Sequence, residues 1–221
     1  MFNFHEKKDT KLRKDILDEL SWDPSISSDQ ISVTANGGVI TLRGTVPHYF
    51  EKTKAEQIVQ RVSGVRAIAD EIEVKFMEPS EKSDDEIALA VVNALDWNYL
   101  VPKGLNTVVT DGWVTLSGET TWDYQRMAAE NDVTRLMGVR GVSNEIKITP
   151  RPQSFDIKNR IEESLRRFAD DESDNIKVLV ERDTVTLSGK VHSLSESTEA
   201  CTAAWNAPGV MNVINDIRIS N

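Results

Sequence analysis

The chain has 221 residues, of which 39% are apolar and 28% charged, and its formal net charge is −10. This composition excludes wholesale disorder. No apolar run reaches the roughly 18 residues of a membrane-spanning helix. The excess of acidic residues disfavours nucleic acid and anionic lipid as partners. A single cysteine, Cys201, permits no internal disulfide, and the first residues lack the pattern of a secretory signal, so we expect a cytoplasmic protein.

The first third of the chain predicts a helix, a hairpin, a second helix and a last strand. The first helix is indicated by apolar residues at a four-residue spacing, namely Leu12, Ile16 and Leu20. Alternating apolar residues over 31–35 and 40–44 predict two paired strands, and Gly37-Gly38 between them suits a two-residue type I′ turn. The second helix carries Ala55, Val59 and Val62. We expect the pair Gly64-Val65 to end it, before a short strand at 71–74.

The same order of motifs occurs three times. The strand motif is ITLRG at 40–44 and VTLSG at 114–118 and 185–189, so the final glycines lie 74 and then 71 residues apart. A Gly-Val pair follows twenty residues after each of these glycines. The recurring glycines are Gly44, Gly118 and Gly189 in the strand motif, and Gly64, Gly138 and Gly209 in the pairs. Two spaced motifs recurring at a fixed separation indicate a repeat protein.

The second and third copies contain the same elements. Their first helices are indicated by Ile87, Val91 and Leu95, and by Ile157, Ile161 and Leu165; their second helices by Ala129, Val133 and Leu136, and by Ala200, Ala204 and Ala207. Pairing Val109 with Val114 leaves Asp111-Gly112 as a type I′ turn, whereas the same register puts the less suitable Arg182-Asp183 in the third hairpin. Ser83 with Glu86, and Ser193 with Glu196, predict capping boxes.

Each copy is therefore an α-β-β-α-β unit, and the fold class is α+β. We expect a three-stranded sheet with both helices on one face, in three domains at 7–76, 83–149 and 154–220. Proline-containing linkers around 77–82 and 149–154 favour semi-rigid spacing. Because units of this size lie near the lower limit of independent stability, packing between units or between chains is expected.

At the level of these motifs the chain resembles the BON domain family. The resemblance rests on the V-T-L-x-G strand, the alanine-bearing helix and the G-V ending, and three copies cover nearly the whole chain. It implies the α-β-β-α-β fold but no single function, because family members include phospholipid-binding envelope proteins, a potassium sensor and a periplasmic chaperone. The acidic charge, and first residues without a signal pattern, weaken the expectation that this chain binds phospholipid.

No residue pattern predicts a catalytic, cofactor or metal site. Ser117 lies in T-L-S-G-E rather than a nucleophile motif, and its equivalent in the first copy is Arg43. The three histidines, His5, His48 and His192, form no ligand pattern, and surface or capping roles are expected for them. The acidic run at 170–174 lacks the features of a calcium loop and favours a solvated loop.

The tryptophans are more informative. Trp22 and Trp97 are repeat equivalents, and we expect each to close the end of its helix over the core, with Trp205 filling a gap among alanines. Trp113 points outward if Val114 points inward, and its next outward neighbours are Val108 and Thr115. These three residues are the candidate assembly or ligand surface, since the other outward residues of the sheets are expected to be polar.

The function expected from these patterns is non-enzymatic binding. The main hypothesis is a stress-related protein that acts by self-association or by binding another protein, because three linked units repeat one surface. The alternatives are a phospholipid- or membrane-associated module, and a sensor of a small ion such as potassium. No cofactor and no nucleic-acid partner is expected.

Overall fold

The computed structural model describes residues 4–76, 82–149, 176–181, 183–207 and 210–219. Repeat one contains α1 (Phe4–Trp22), β1 (Ile31–Asn36), β2 (Val39–Val46), α2 (Tyr49–Arg61) and β3 (Ala67–Val74). Repeat two contains α3 (Asp84–Trp97), β4 (Asn106–Thr110), β5 (Trp113–Thr120), α4 (Asp123–Thr134) and β6 (Gly141–Ile148). Repeat three contains β7 (Ile176–Glu181), β8 (Thr184–Val191), α5 (Leu194–Trp205) and β9 (Asn212–Ile219), while its predicted first helix lies outside the described residues.

Each repeat forms its own three-stranded sheet, in which the second strand is central. It pairs antiparallel with the first strand and parallel with the last, so α2, α4 and α5 are crossover helices between parallel strands. The predicted registers are confirmed, for example Val33 opposite Leu42 and Val109 opposite Val114. Since side chains alternate across a strand, one correct pairing places every residue of the hairpin on its predicted face.

The two turns predicted to be type I′ have the backbone that this type needs. Gly37 and Gly38 have φ of 58° and 80°, and Asp111 and Gly112 have φ of 50° and 77°. A carboxylate from the preceding helix holds each turn: Asp84 accepts from the backbone N–H groups of Asp111 and Gly112, both at 2.9 Å. Asp9 does the same in repeat one, at 2.8 and 3.3 Å. The turn of the third hairpin includes Arg182, which lies outside the described residues.

Of the two predicted capping boxes, the one at Ser83 forms completely and the one at Ser193 forms only in part. Ser83 and Glu86 make the complete capping box at the start of α3, and the backbone N–H of Ser83 is the largest cause that lowers the pKa of Glu86. At the start of α5, Ser193 accepts from the backbone N–H of Glu196 at 3.2 Å. The Glu196 carboxylate, however, accepts from the backbone N–H of His192 rather than from that of Ser193.

The prediction that the Gly-Val pair ends the second helix is wrong. α2 ends at Arg61 and α4 at Thr134, before Gly64 and Gly138 are reached. These glycines instead adopt φ of 91° and 87° in the connection to the last strand. The following valines, Val65 and Val139, are fully buried. Gly209, the third member of this set, lies outside the described residues.

Each repeat has a separate hydrophobic core between its sheet and its helices. The cores are built from the predicted inward residues, among them Ile16, Leu20, Ile40, Leu42 and Val59 in repeat one; Ile87, Val91, Val114, Leu116 and Val133 in repeat two; and Val180, Val185, Leu187 and Ala204 in repeat three. In repeats one and two both helices contribute to one core on the same face of the sheet, and the other face carries neither of them. In every repeat, the sheet face opposite the second helix is here called the outer face.

The three repeats also pack on one another, as expected for units of this size. Tyr49, the first residue of α2, packs against the core of repeat two, and its burial raises its pKa. Leu194, at the equivalent position in α5, packs against the core of repeat one. Beside it, the backbone N–H of Gly64 donates to the carbonyl of His192 at 3.2 Å.

The remaining contact joins repeats two and three. Arg126 of α4 pairs with the buried Asp123 and lies over the ring of Trp205, with the guanidinium 5.6 Å from the ring centre. Repeat one therefore contacts repeat two, repeat two contacts repeat three, and repeat three contacts repeat one. In each case the contact is made by residues near the beginning of the second helix of the first-named repeat. This is a closed ring of head-to-tail contacts within one chain, the arrangement that heterologous interfaces produce when their rotation closes.

Candidate functional site: the outer sheet faces

Trp113 lies on the outer face of repeat two, as the alternation predicts, and it remains half exposed at 50%. Its ring covers Gly141, its neighbour on β6, so closely that a Cβ atom at Gly141 would lie 2.3 Å from the ring. The indole Nε1–H donates to Ser143 Oγ at 2.9 Å. The ring is therefore held flat against its own sheet, with one side covered by Gly141.

The other predicted members of this surface share that face. Val108 pairs with Thr115 across β4 and β5, Ser143 completes the row on β6, and Val108 is 60% exposed. Ser117, the serine of the strand motif, is the next outward residue on β5 and is partly exposed. The structure thus brings Val108, Trp113 and Thr115 together on one neutral, hydroxyl-bearing surface.

The expectation that the other outer faces are polar is wrong for repeat three. There Leu179, Thr186 and Ile214 form one row across the sheet, with Leu179 exposed at 56% and Ile214 at 43%. Leu179 is the repeat equivalent of Val108, so an aliphatic residue at this position occurs twice. The strand alternation contained this signal, because Leu179 lies between the inward residues Val178 and Val180.

Exposed opposite charges lie in the next row of the same face. Lys177 on β7 and Asp216 on β9 lie in one register row, with Ser188 between them on β8. Two strand spacings separate them, about 10 Å, which is too far for an ion pair. Neither makes an ion pair with any described residue.

Repeat one presents a different outer face. Arg43 on β2 and Glu71 on β3 form a two-point ion pair at 2.6 and 3.2 Å. The guanidinium of Arg43 lowers the pKa of Glu71, and the carboxylate raises the pKa of Arg43. Because both groups are well exposed, the pair satisfies its own charges and contributes little to stability.

The prediction that Trp22 and Trp97 close their helices over the core is wrong. They are the last residues of α1 and α3 and are 87% and 89% exposed. Tyr99, two residues beyond Trp97, is also exposed. Four-residue spacing placed Leu20 and Leu95 inward, and a residue two positions later points elsewhere on the helix. Trp205 does pack against the core of repeat three, as predicted, with Arg126 over its ring.

The strand glycines are structural. Gly44, Gly118 and Gly189 have positive φ of 146°, 131° and 138°. At Gly44 a Cβ atom would lie 1.9 Å from the carbonyl oxygen of Gln30, so the preceding chain passes where a side chain would be.

The described residues contain no group of three or more histidine, cysteine or acidic residues able to hold a metal ion. His48 is the N-terminal capping residue of α2 and makes no side-chain cap bond. Burial raises the pKa of the Cys201 thiol. The acidic run at 170–174 and His5 fall outside the residues whose side chains the structure describes.

The repeated fold and its motifs define a protein of tandem BON units, and the chain belongs to the BON domain family: the family model matches residues 8–75, 83–150 and 154–221. Over 128 residues the chain is 30% identical to osmotically-inducible protein Y of Escherichia coli (strain K12), a match that covers 56% of this chain and 64% of that protein. The chain thus spans less than two thirds of the length of that relative.

Two solved structures of CdsD, a structural protein of the type III secretion system of Chlamydia trachomatis, also match. One, of the C-terminal domain, has a TM-score of 0.27 at 14% identity and covers 100% of both chains. The other has a TM-score of 0.26 at 16% identity and covers 95% of this chain and 92% of that one. Scores this low carry no function over to this chain.

None of the described helices is long and apolar enough to cross a membrane.

Proposed function

We propose that this chain is a non-enzymatic, stress-related assembly protein that associates with a second copy of itself through the outer face of repeat three. The observation that carries the proposal is the row of Leu179, Thr186 and Ile214, which exposes two aliphatic side chains next to a row with a lysine on one edge strand and an aspartate on the other. The stress-related role is supported by the similarity to osmotically-inducible protein Y, and the single cysteine favours a reducing compartment such as the cytoplasm.

A second molecule of this protein fits this face because the face is complementary to itself. When two such sheets stack about a two-fold axis parallel to the strands, β7 of one copy lies over β9 of the other. Leu179 then faces Ile214 of the second copy, and Lys177 faces Asp216. The same operation repeats both contacts, so each dimer contains two aliphatic pairs and two ion pairs.

The size of the face sets the expected affinity. One strand of six residues and two of eight, about 4.8 Å apart and at about 3.3 Å per residue, present roughly 350 Å². Stable interfaces bury roughly 800 Å² on each partner. We therefore expect a weak, reversible dimer that forms at micromolar concentrations or above.

Charge reversal tests this dimer. Sedimentation equilibrium of the full chain should show a monomer–dimer equilibrium, which Lys177→Glu shifts to monomer because it places two acidic groups together. The double variant Lys177→Glu/Asp216→Lys restores opposite charges and should restore the dimer. Lys14→Glu, on the exposed side of α1, makes the same change in net charge elsewhere and should leave the equilibrium unaltered. A wild type that stays monomeric at hundreds of micromolar, or a double variant that does not recover, contradicts the proposal.

Membrane association is the second candidate, and the exposed Trp97 and Tyr99 are the observation that favours it. Aromatic side chains at exposed helix ends suit the boundary between headgroups and acyl chains, whereas the net charge of −10 repels an anionic surface. Flotation with phosphatidylcholine vesicles should then recover wild type and Trp113→Ala but not Trp97→Ala/Tyr99→Ala. Equal recovery of all three proteins, or no flotation at all, rejects this candidate.

A further inference from the structure

We propose that the outer face of repeat two is a binding platform for an uncharged glycan, with Trp113 as the stacking residue. This site is separate from the self-association face, which belongs to repeat three.

The first argument is the orientation of the indole ring. Gly141 leaves the space that lets the ring lie flat on the sheet, and the bond from Nε1 to Ser143 Oγ holds it there. Half of Trp113 stays exposed, on the side away from Gly141. A flat exposed ring presents its electron-rich face to the C–H groups of a sugar. Because the ring is already held in place, binding loses little side-chain entropy.

The second argument is the chemistry around the ring. Thr110 lies beside Trp113 in its register row, and Thr115 lies in the next row. Among the described residues, the side chains of Thr110, Thr115 and Ser117 make no hydrogen bond. These hydroxyl groups can each donate and accept, as the equatorial hydroxyls of a sugar stacked on the ring require.

The third argument is charge. The two register rows nearest the ring contain no ionisable residue: they are Thr110, Trp113 and Gly141, and Val108, Thr115 and Ser143. The first acidic residue on the β6 side is Glu145, in the following row. These two rows, on a chain of net charge −10, admit a neutral ligand and contain no cation that would balance an anionic one. The complementary ligand is an uncharged chain of sugars with equatorial hydroxyls, such as a β-linked glucan.

Native gel electrophoresis with a soluble neutral polysaccharide tests this site. Hydroxyethylcellulose in the gel should retard the full chain, and titration calorimetry with cellohexaose should give the affinity. Trp113→Ala should weaken binding at least about tenfold, the usual effect of removing a central aromatic anchor. Ser143→Ala releases the indole N–H and should weaken it less. Trp97→Ala, which removes a still more exposed tryptophan elsewhere, should bind like wild type.

The outcomes separate this inference from its alternatives. Binding of polygalacturonate in preference to cellohexaose, an equal loss in Trp97→Ala, or no retardation by any neutral polysaccharide overturns it. Loss of self-association in Trp113→Ala without glycan binding also overturns it, because the face would then be a protein interface. Circular dichroism of Trp113→Ala is expected to match wild type, since the residue lies on the outer face and outside the core.

Discussion

Leu194 closes the ring of repeats, and its truncation should loosen the contact between repeats three and one. Leu194→Ala removes three carbon atoms, each contributing about 0.8 kcal/mol when fully buried. Leu194 is only partly buried where it packs on the core of repeat one. About half of the full amount is therefore lost, roughly 1–1.5 kcal/mol, which corresponds to about a tenfold rise in the population of the open ring.

Hydrogen exchange with mass spectrometry measures this opening directly. The backbone N–H of Gly64 donates to the carbonyl of His192 across the same contact, so its peptide should exchange about tenfold faster in Leu194→Ala if exchange follows local opening. The matched control is Leu89→Ala, which truncates an exposed leucine on α3 and should change nothing. Unchanged exchange at Gly64, or equal acceleration by the control, would refute the closed ring.

Two further predictions concern local structure. Gly44→Ala should destabilise the chain by at least about 3 kcal/mol in urea denaturation, because the new Cβ would lie 1.9 Å from the carbonyl oxygen of Gln30; Gly37→Ala has open space and should cost only about 1–2 kcal/mol for its positive φ. A cost at Gly44 no greater than at Gly37 would show that the chain there can move aside. Glu86→Gln tests the cap of α3. The pKa of Glu86 in the folded state is lowered from 4.5, mainly by the backbone N–H of Ser83. The contribution of this carboxylate to the stability of the fold is therefore complete above the unfolded pKa and is lost as the pH falls through the folded pKa. The difference in melting temperature between wild type and Glu86→Gln should therefore be larger at pH 7 than at pH 3, and a constant difference would contradict this role.

The elements and registers that sequence alone predicted are those governed by near neighbours. Alternation and the Asp111-Gly112 dipeptide specify the hairpin of repeat two, since the turn type determines which residues face each other. The cap at Ser83 is equally local. The ends of the second helices were predicted less well. A glycine such as Gly64 indicates a backbone with positive φ, but the sequence does not show how many residues lie between that glycine and the last turn of the helix.

The exposed surfaces were predicted only in part. The outward direction of Trp113 follows from strand alternation, but its flat position depends on Gly141 and Ser143, which lie on another strand. Helical spacing predicts which residues of a helix face inward. It does not show whether another part of the fold covers the end of that helix, and for that reason Trp97 was wrongly expected to be buried.

Sequence alone therefore determined the family, the α-β-β-α-β order and the hairpin registers, because hydrophobic periodicity and turn chemistry act over a few residues. Tertiary structure decided the closed ring, in which Tyr49 and Leu194 occupy equivalent positions and bury themselves in neighbouring repeats. Tertiary structure also decided which apolar side chains stay on the outer faces. Both outcomes depend on contacts between residues far apart in the chain, and no local pattern records such contacts.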